Sequence, residues 1–284
     1  MVNPTVQWVG GKGRLLEPIH KHLPEEYNTY HEIFLGGGSL LLSLQPDKAF
    51  CYELNDNLCN LYHVIKTDKD NLISKLKEIE KEYVEIDGVT EEGLKKRKEF
   101  YLDIRKKFNE ETDKFQKSVY FKFINKTCFN AVYRENQKGG FNVPFGKGRD
   151  PNVCDEKNIL ELSKYLNENE IHILNEDFEQ SFKNIKEGDF VYLDPPYYPL
   201  KDNSFTGYTK LGFGKEDHER LIAFCKKLTD MKVKFILSNS NCDFIKNHFQ
   251  EDIYTIEEMS VARTLNSNKD KRSKTNCEII IKNY

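Results

Sequence analysis

With 284 residues and a formal net charge of −3, the chain is long enough for one large domain or two and too polar to be a membrane protein. No apolar run approaches the ~20 residues of a membrane span, and the start Met1-Val2-Asn3-Pro4 has no signal-peptide pattern. Seven cysteines without a C-x-x-C pair argue against a disulfide framework or a zinc site, so a reducing cytoplasm and no metal are expected.

The first signal in chain order is Gln7-Trp8-Val9-Gly10-Gly11-Lys12-Gly13-Arg14, followed by Leu15, Leu16, Ile19 and Leu23 at helical spacing. It fails as a phosphate loop, because Lys12 is followed by Gly13 and the upstream glycine is missing. Its glycines instead allow close backbone approach to a ligand, with Trp8 as a flat wall and Lys12 as a point charge. Next, Tyr30 to Phe34 reads as a strand, Leu35-Gly36-Gly37-Gly38-Ser39 as a turn, and Leu40 to Leu44 as a helix. Ala49 to Tyr52 is a second strand, ending in Glu53. That order is how open α/β sheets bring backbone amides and a diol-accepting acid to a nucleotide-like ligand.

From Asn57 to about Glu170 the pattern becomes helical and charged, too long to be a loop. Leu58, Leu61, Tyr62 and Ile65, then Leu72, Leu76 and Ile79, keep helical spacing, and Lys95 to Phe123 is again helical and basic. The basic residues there are interleaved with Glu and read mostly as a solvated helix face. A run with little acid, Lys269 to Lys274, suits phosphates better. The segment ends in a plausible hairpin around Gly139-Gly140, from about 130 to 146. It is crowded with Asn, Arg and Gln, side chains that make bidentate contacts to base edges. Alternation resumes with the strand Ile171 to Leu174, then Asp177-Phe178, a pair suited to a purine's amine and face.

Asp189 to Leu193 is a short apolar strand that runs into Asp194-Pro195-Pro196-Tyr197. Two prolines stop the ladder, so the acid is left at the strand's carboxyl end, where such sheets bind ligands. A heteroaromatic amine is a poor nucleophile because its lone pair is delocalised. Gripping both its N–H groups, with the Asp194 carboxylate and the Pro195 carbonyl, would localise that pair, while Tyr197 stacks on the ring. A proline-stiffened turn with a solvated acid and a core tyrosine is the plainer alternative. A helix over 216–229, a strand Val233 to Leu237 and a strand Cys277 to Ile281 complete the chain, and His218 reads as a cap or packing group. The absence of H-E-x-x-H and G-x-S-x-G patterns removes metallohydrolase and serine-hydrolase readings.

Trp8-Val9-Gly10-Gly11-Lys12, Phe34-Leu35-Gly36-Gly37-Gly38-Ser39, Phe141-Asn142-Val143-Pro144-Phe145-Gly146 and Asp194-Pro195-Pro196-Tyr197 occur in one order. That set resembles the Dam-type (D12 class) DNA adenine-N6 methyltransferases, from about Gln7 to Tyr284. The resemblance implies an α/β, Rossmann-like sheet that uses S-adenosylmethionine, formed by 1–56 and 171–284. Residues 57–170 become a helical target-recognition insert with its hairpin. It implies cofactor contacts at Trp8, Gly10, Gly11, Lys12, Phe34, Gly36, Gly38, Ser39, Glu53, Asp177, Phe178 and Asp194. Glu53 stands where the family usually has Asp. Catalysis falls to Asp194, Pro195, Pro196 and Tyr197, with Tyr208 lining the far wall, and DNA contacts to Gln7, Asn130, Arg134, Asn136, Asn142 and Pro144.

The implied reaction is methyl transfer to N6 of an adenine flipped out of double-stranded DNA, with GATC as the leading site. Two positions depart from the family pattern: Gln7 replaces a basic residue, and Lys147-Gly148 replaces an Arg-Tyr. The rivals are a cytosine-N4 or RNA-adenine methyltransferase, and a DNA-binding homologue without turnover. A cognate restriction endonuclease as functional partner, and a monomer or weak dimer, are the associated expectations.

Overall fold

The computed structural model describes residues 2–11, 13, 15–146, 150–199, 212–250, 252–260 and 277–284. Lys12, Tyr208, Lys147-Gly148 and the basic run from Lys269 to Lys274 lie outside the described residues.

Seven strands form one sheet: β1 (Tyr30–Glu32), β2 (Lys48–Tyr52), β3 (Glu170–Leu174), β4 (Phe190–Leu193), β5 (Lys234–Ser240), β6 (Thr255–Ser260) and β7 (Cys277–Lys282). Their spatial order is β3-β2-β1-β4-β5-β7-β6. Strands β1 to β5 pair in parallel, and β7 runs antiparallel between β5 and β6. The order reverses between β1 and β4, and the carboxyl ends of strands at such a switch point are where open α/β sheets bind ligands. The expected Rossmann-like architecture is the one observed.

Both faces of the sheet are covered, as a parallel sheet requires. In β4 the period of two sorts the residues: Phe190 and Tyr192 join one core, Val191 and Leu193 the other. The second core is closed by α8 (Lys215–Asp230), through Leu221, Phe224, Cys225 and Leu228. The first is covered by α2 (Ser39–Leu44), α3 (Asp56–Thr67), α4 (Lys69–Val84), α5 (Glu91–Glu110), α6 (Lys114–Thr127) and α7 (Glu156–Glu168). The apolar side chains of α3 to α7 run without a break into those of the sheet, so the insert and the sheet share this core. A short α1 (Leu16–Lys21) precedes the sheet, and α9 (Asp243–Lys246) follows β5.

The basic helical stretch expected from Lys95 to Phe123 is two helices. Asp113 accepts the backbone N–H of Gln116 at 2.7 Å and starts a new helix there. Its basic face is not wholly solvated either. Arg97 is buried under the Tyr83 ring, 4.8 Å from its centroid, and pairs with Asp150 at 2.7 Å. Lys122 is buried as well, and its ammonium donates to the Thr5 carbonyl. The hairpin has no continuous ladder; two isolated bridges, Cys128 with Phe145 and Glu135 with Phe141, hold it. Helix α7 and strand β6 carry no motif and went unmarked in the sequence. No described helix is long and apolar enough to cross a membrane, and among the described residues no His/Cys/Asp/Glu group could hold a metal ion.

Candidate active site and recognition hairpin

Beyond β1 the chain stays tied to its neighbours: Ile33 N–H donates to the Tyr192 carbonyl at 3.0 Å, and Leu35 N–H to that of Tyr52 at 2.9 Å. The turn then needs glycine for two reasons. Gly36 has φ 50° and Gly38 has φ 66°. A Cβ on Gly36 would also meet the Trp8 indole at 2.9 Å. Glu53 fixes this turn from the end of β2, accepting Gly36 N–H on Oε2 at 2.9 Å and Asn55 N–H on Oε1 at 2.7 Å. Burial raises the Glu53 pKa, and these backbone donors pull it back down. Trp8 itself stacks on Tyr133 of the hairpin base, 5.6 Å between centroids, and its carbonyl accepts from Gly11 N–H. Gly10 (φ 84°) has open space where a Cβ would stand, and Ser39 opens α2.

Past β3, Asp177 and Phe178 part company. Asp177 accepts Glu179 N–H at 3.0 Å and the Arg220 guanidinium at 2.7 Å, both on Oδ1. Phe178 is buried against Phe34, 5.7 Å between centroids, with the Arg220 guanidinium 4.7 Å above its ring. The acid therefore stands at the site's edge, while the ring belongs to the core. Arg220, which links them, was not read from the sequence.

The Asp194 corner follows β4 directly, beside the glycine turn of β1. Asp194 is half-buried, and Tyr197 donates its hydroxyl to Glu278 of β7 at 2.8 Å. One residue on, Asn239 accepts Tyr198 N–H at 3.0 Å, and the Ser240 hydroxyl donates to the Tyr198 carbonyl at 2.8 Å. Tyr198 stacks on Phe244 at 4.3 Å and meets His218 edge-on, which makes His218 a buried packing group. Beneath the corner lies Glu32, accepting the Tyr30 hydroxyl at 2.7 Å and Leu41 N–H at 2.9 Å. Burial pushes the Glu32 carboxyl up to about 8, with the charge of Asp194 adding to the shift. Tyr192 and Tyr197 are driven well above the usual phenol range by burial first and then by Asp194, with Glu278 acting in the same sense.

The hairpin hangs from α5. Asn109 clamps Phe141 at both ends, donating to its carbonyl at 3.0 Å and accepting its N–H at 2.8 Å. Tyr101 and Arg105 both donate to the Val143 carbonyl, at 2.8 and 2.9 Å. Arg134 is exposed, and its Nε donates to Asn142 Oδ1 at 2.7 Å. Its two terminal nitrogens take no bond from the described residues, so the fork is aimed but unspent. Asn136 closes the tip, accepting Lys138 N–H and Gly140 N–H on one oxygen. Asn130 is exposed in a left-handed conformation (φ 53°), and Pro144 is exposed with its carbonyl taken by Phe129 N–H. Gln7 projects nearby, its backbone held by Asn125 through a bond each way, at 3.0 and 2.8 Å. A cleft of about 310 Å³ between α5 and the hairpin is lined by Arg105, Lys106, Asn109 and Asn142 among others.

The sequence from residue 8 to 264 matches the model of the D12 class of N6 adenine-specific DNA methyltransferases. The chain belongs to that family. It is 38% identical to the type II methyltransferase M.MjaIII of Methanocaldococcus jannaschii, over 100% of this chain and 99% of that protein. It is 35% identical to M1.LlaDCHI of Lactococcus lactis subsp. cremoris, over 100% of this chain and 96% of that protein. Against the DNA adenine methylase of Escherichia coli K12 the identity is 27%, over 95% and 91%. This D12 chain is therefore an adenine-specific DNA methyltransferase, as the order of its motifs implied.

Three polar groups of this methyltransferase site were not singled out from the sequence: Glu32, Asn239 and Glu278. Only Glu278 stands against an apolar run, before Ile279-Ile280-Ile281, and that was the signal available; Glu32 follows His31 at the end of β1, and Asn239 lies between Ser238 and Ser240. A strand-centre polar group is costly unless paired, so it marks either a site or a tightly bonded support.

Proposed function

We propose that the carboxyl ends of β1 and β4 bind S-adenosylmethionine beside an adenine flipped from duplex DNA, and that Asp194, Pro195 and Tyr197 present the amine for attack. The observation that carries this reading is the adjacency of the Asp194 corner and the glycine turn at the point where strand order reverses. The donor set fits the cofactor. Asp194, half-buried at the end of β4, gives a sulfonium or an ammonium a carboxyl group to face. In this reading Glu53, at the tip of β2, accepts from a ribose diol, and Trp8, Gly10, Gly11, Phe34, Gly36, Gly38 and Ser39 are the further cofactor contacts. Asp177 would take the purine amine, with Phe178 beside it. When bound, the cofactor supplies an electrophilic methyl carbon.

The chain's own part is positional. The Asp194 carboxylate and the Pro195 carbonyl, on a loop stiffened by Pro196, accept the two amine hydrogens. The nitrogen lone pair then points away from the ring plane. Tyr197 stacks on the extruded base, a contact worth roughly 1–3 kcal/mol where measured for single-stranded bases. Extrusion costs a few kcal/mol, so that contact recovers a substantial share. As the N–CH3 bond forms and the S–CH3 bond breaks to leave a neutral thioether, the amine nitrogen sheds one proton, and Asp194 is the adjacent acceptor.

The insert over 57–170 serves as the recognition segment of this reading, with 1–56 and 171–284 as the catalytic part. Arg134 is its guanine reader, held by Asn142, and Asn130, Asn136, Pro144 and Gln7 are the further DNA contacts of this reading. GATC is the site this hairpin type suggests. A restriction endonuclease is the functional partner suggested by the type II relatives, and the cytoplasm is the proposed location. Sequencing of modified bases in DNA from cells expressing the protein tests the reading. N6-methyladenine at one short motif supports it; N4-methylcytosine, or no modification of DNA, would overturn it.

A further inference from the structure

Glu278 lies outside every motif, yet it makes a direct bond to the tyrosine of the catalytic corner. It sits on β7, facing Ser240 of β5 on one side and Met259 of β6 on the other. A side chain on an interior strand has little freedom to follow a moving partner. Its carboxyl group is buried, and Oε2 accepts the Tyr197 hydroxyl at 2.8 Å. A phenol fixed at its hydroxyl cannot swing about its Cα–Cβ bond.

The Tyr197 hydroxyl is therefore held by an acid on β7, while Asp194, the acid that would hold the amine, stands three residues before it in the same corner. We infer that Glu278 is a positioning residue for the transfer reaction: it fixes the direction in which the Tyr197 ring projects, so that the ring is preorganised to receive the extruded purine. The inference rests on the proposed role of the corner in holding adenine. A stacking platform that must be ordered on binding loses part of its contact to that ordering. Misplacement by about 1 Å can cost on the order of 10²-fold in rate. The tether removes both losses before DNA arrives.

Three variants of the full-length protein test this: Glu278→Ala, Glu278→Gln and Tyr197→Phe. Each is read by kcat and KM for DNA, by cofactor affinity in calorimetry, and by fluorescence of duplex carrying 2-aminopurine at the target position. Glu278→Ala should lower kcat/KM for DNA by about tenfold or more, with the cofactor Kd unchanged. The quenching of the extruded 2-aminopurine should weaken in step. Glu278→Gln, which keeps an acceptor oxygen, should recover most of the loss. Tyr197→Phe keeps the ring but loses the tether, so it should match Glu278→Ala, and the double variant should be no worse than either. Wild-type kcat/KM in Glu278→Ala would overturn the inference, as would additive losses in the double variant. A wild-type protein that methylates no DNA would instead sink the reading of the corner itself, a separate and distinguishable failure.

Discussion

The Asp194 corner is assembled from buried groups at strand ends, whereas the hairpin from Asn130 to Gly146 presents exposed side chains on a backbone braced from behind. At the corner, the polar atoms are bonded to each other through several elements: Tyr197 to Glu278 on β7, Tyr198 to Asn239 and Ser240 on β5. At the hairpin, α5 holds the backbone through Asn109, Tyr101 and Arg105, and the Arg134 fork is left for a ligand. The difference fits the roles proposed for the two regions. Chemistry on a fixed amine needs geometry held to fractions of an ångström, which packed strand ends provide. Reading DNA needs accessible donors on a surface that can meet a groove.

The sharpest test of that contrast is Asp194→Ala. Loss of the amine acceptor should cut labelled-methyl incorporation by at least about 10²-fold, while calorimetry still detects cofactor binding. Near-normal incorporation would remove the corner from the chemistry. Glu53→Ala comes next, since it strips acceptors from two backbone N–H groups of the cofactor-side turn. Cofactor affinity should fall by about tenfold or more, in line with roughly 1.5–3 kcal/mol for hydrogen bonds to charged groups, and a full titration of the variant checks it. A loss confined to DNA binding would place Glu53 elsewhere.

Arg134→Ala probes the other region. A bidentate guanine contact is worth about 1–3 kcal/mol of discrimination. Kinetics on an oligonucleotide panel should therefore show relaxed preference at one base pair and an intact cofactor Kd. Uniform weakening across all sequences would instead make Arg134 a phosphate contact.

The smallest effects come from one buried ionisable group on each side of the comparison. Glu32, held up to about 8 by burial, keeps its proton when folded and gives it up above the usual glutamate value of 4.5 when unfolded. Stability should fall as pH rises through that window, by at most about 1.4 kcal/mol per pH unit. Lys122 of the insert, pushed down to about 7 by burial and then by Lys126, has the opposite sign. Stability is independent of this group while both states are protonated and rises from about pH 7 towards the usual lysine value of 10.5. Urea melts across pH 5–10 read both: Glu32→Gln should flatten the acidic side of the profile and Lys122→Met the alkaline side. Unchanged slopes would show that neither group holds the protonation state assigned to it.

Much of the site could be read from the chain because its parts are local. Gly36 and Gly38 adopt positive φ, Glu53 ends a strand, and two prolines must stop the ladder after Asp194. These are properties of a few consecutive residues, and they carried both the fold class and the family. The hairpin's location was legible for the same reason, through Gly139-Gly140 and the Asn-rich flanks. The break between α5 and α6 was not, because Asp113 as a helix cap looks like any solvated acid until the next turn forms.

The strand order, the pairing of Tyr197 with Glu278, the seating of Phe178 under Arg220 and the burial of Arg97 and Lys122 were decided by the tertiary structure alone. Each joins residues distant in sequence, 81 positions apart for Tyr197 and Glu278. Periodicity and turn chemistry report on neighbours along the chain. Which acid reaches which phenol depends on how sheets and helices close around a shared core.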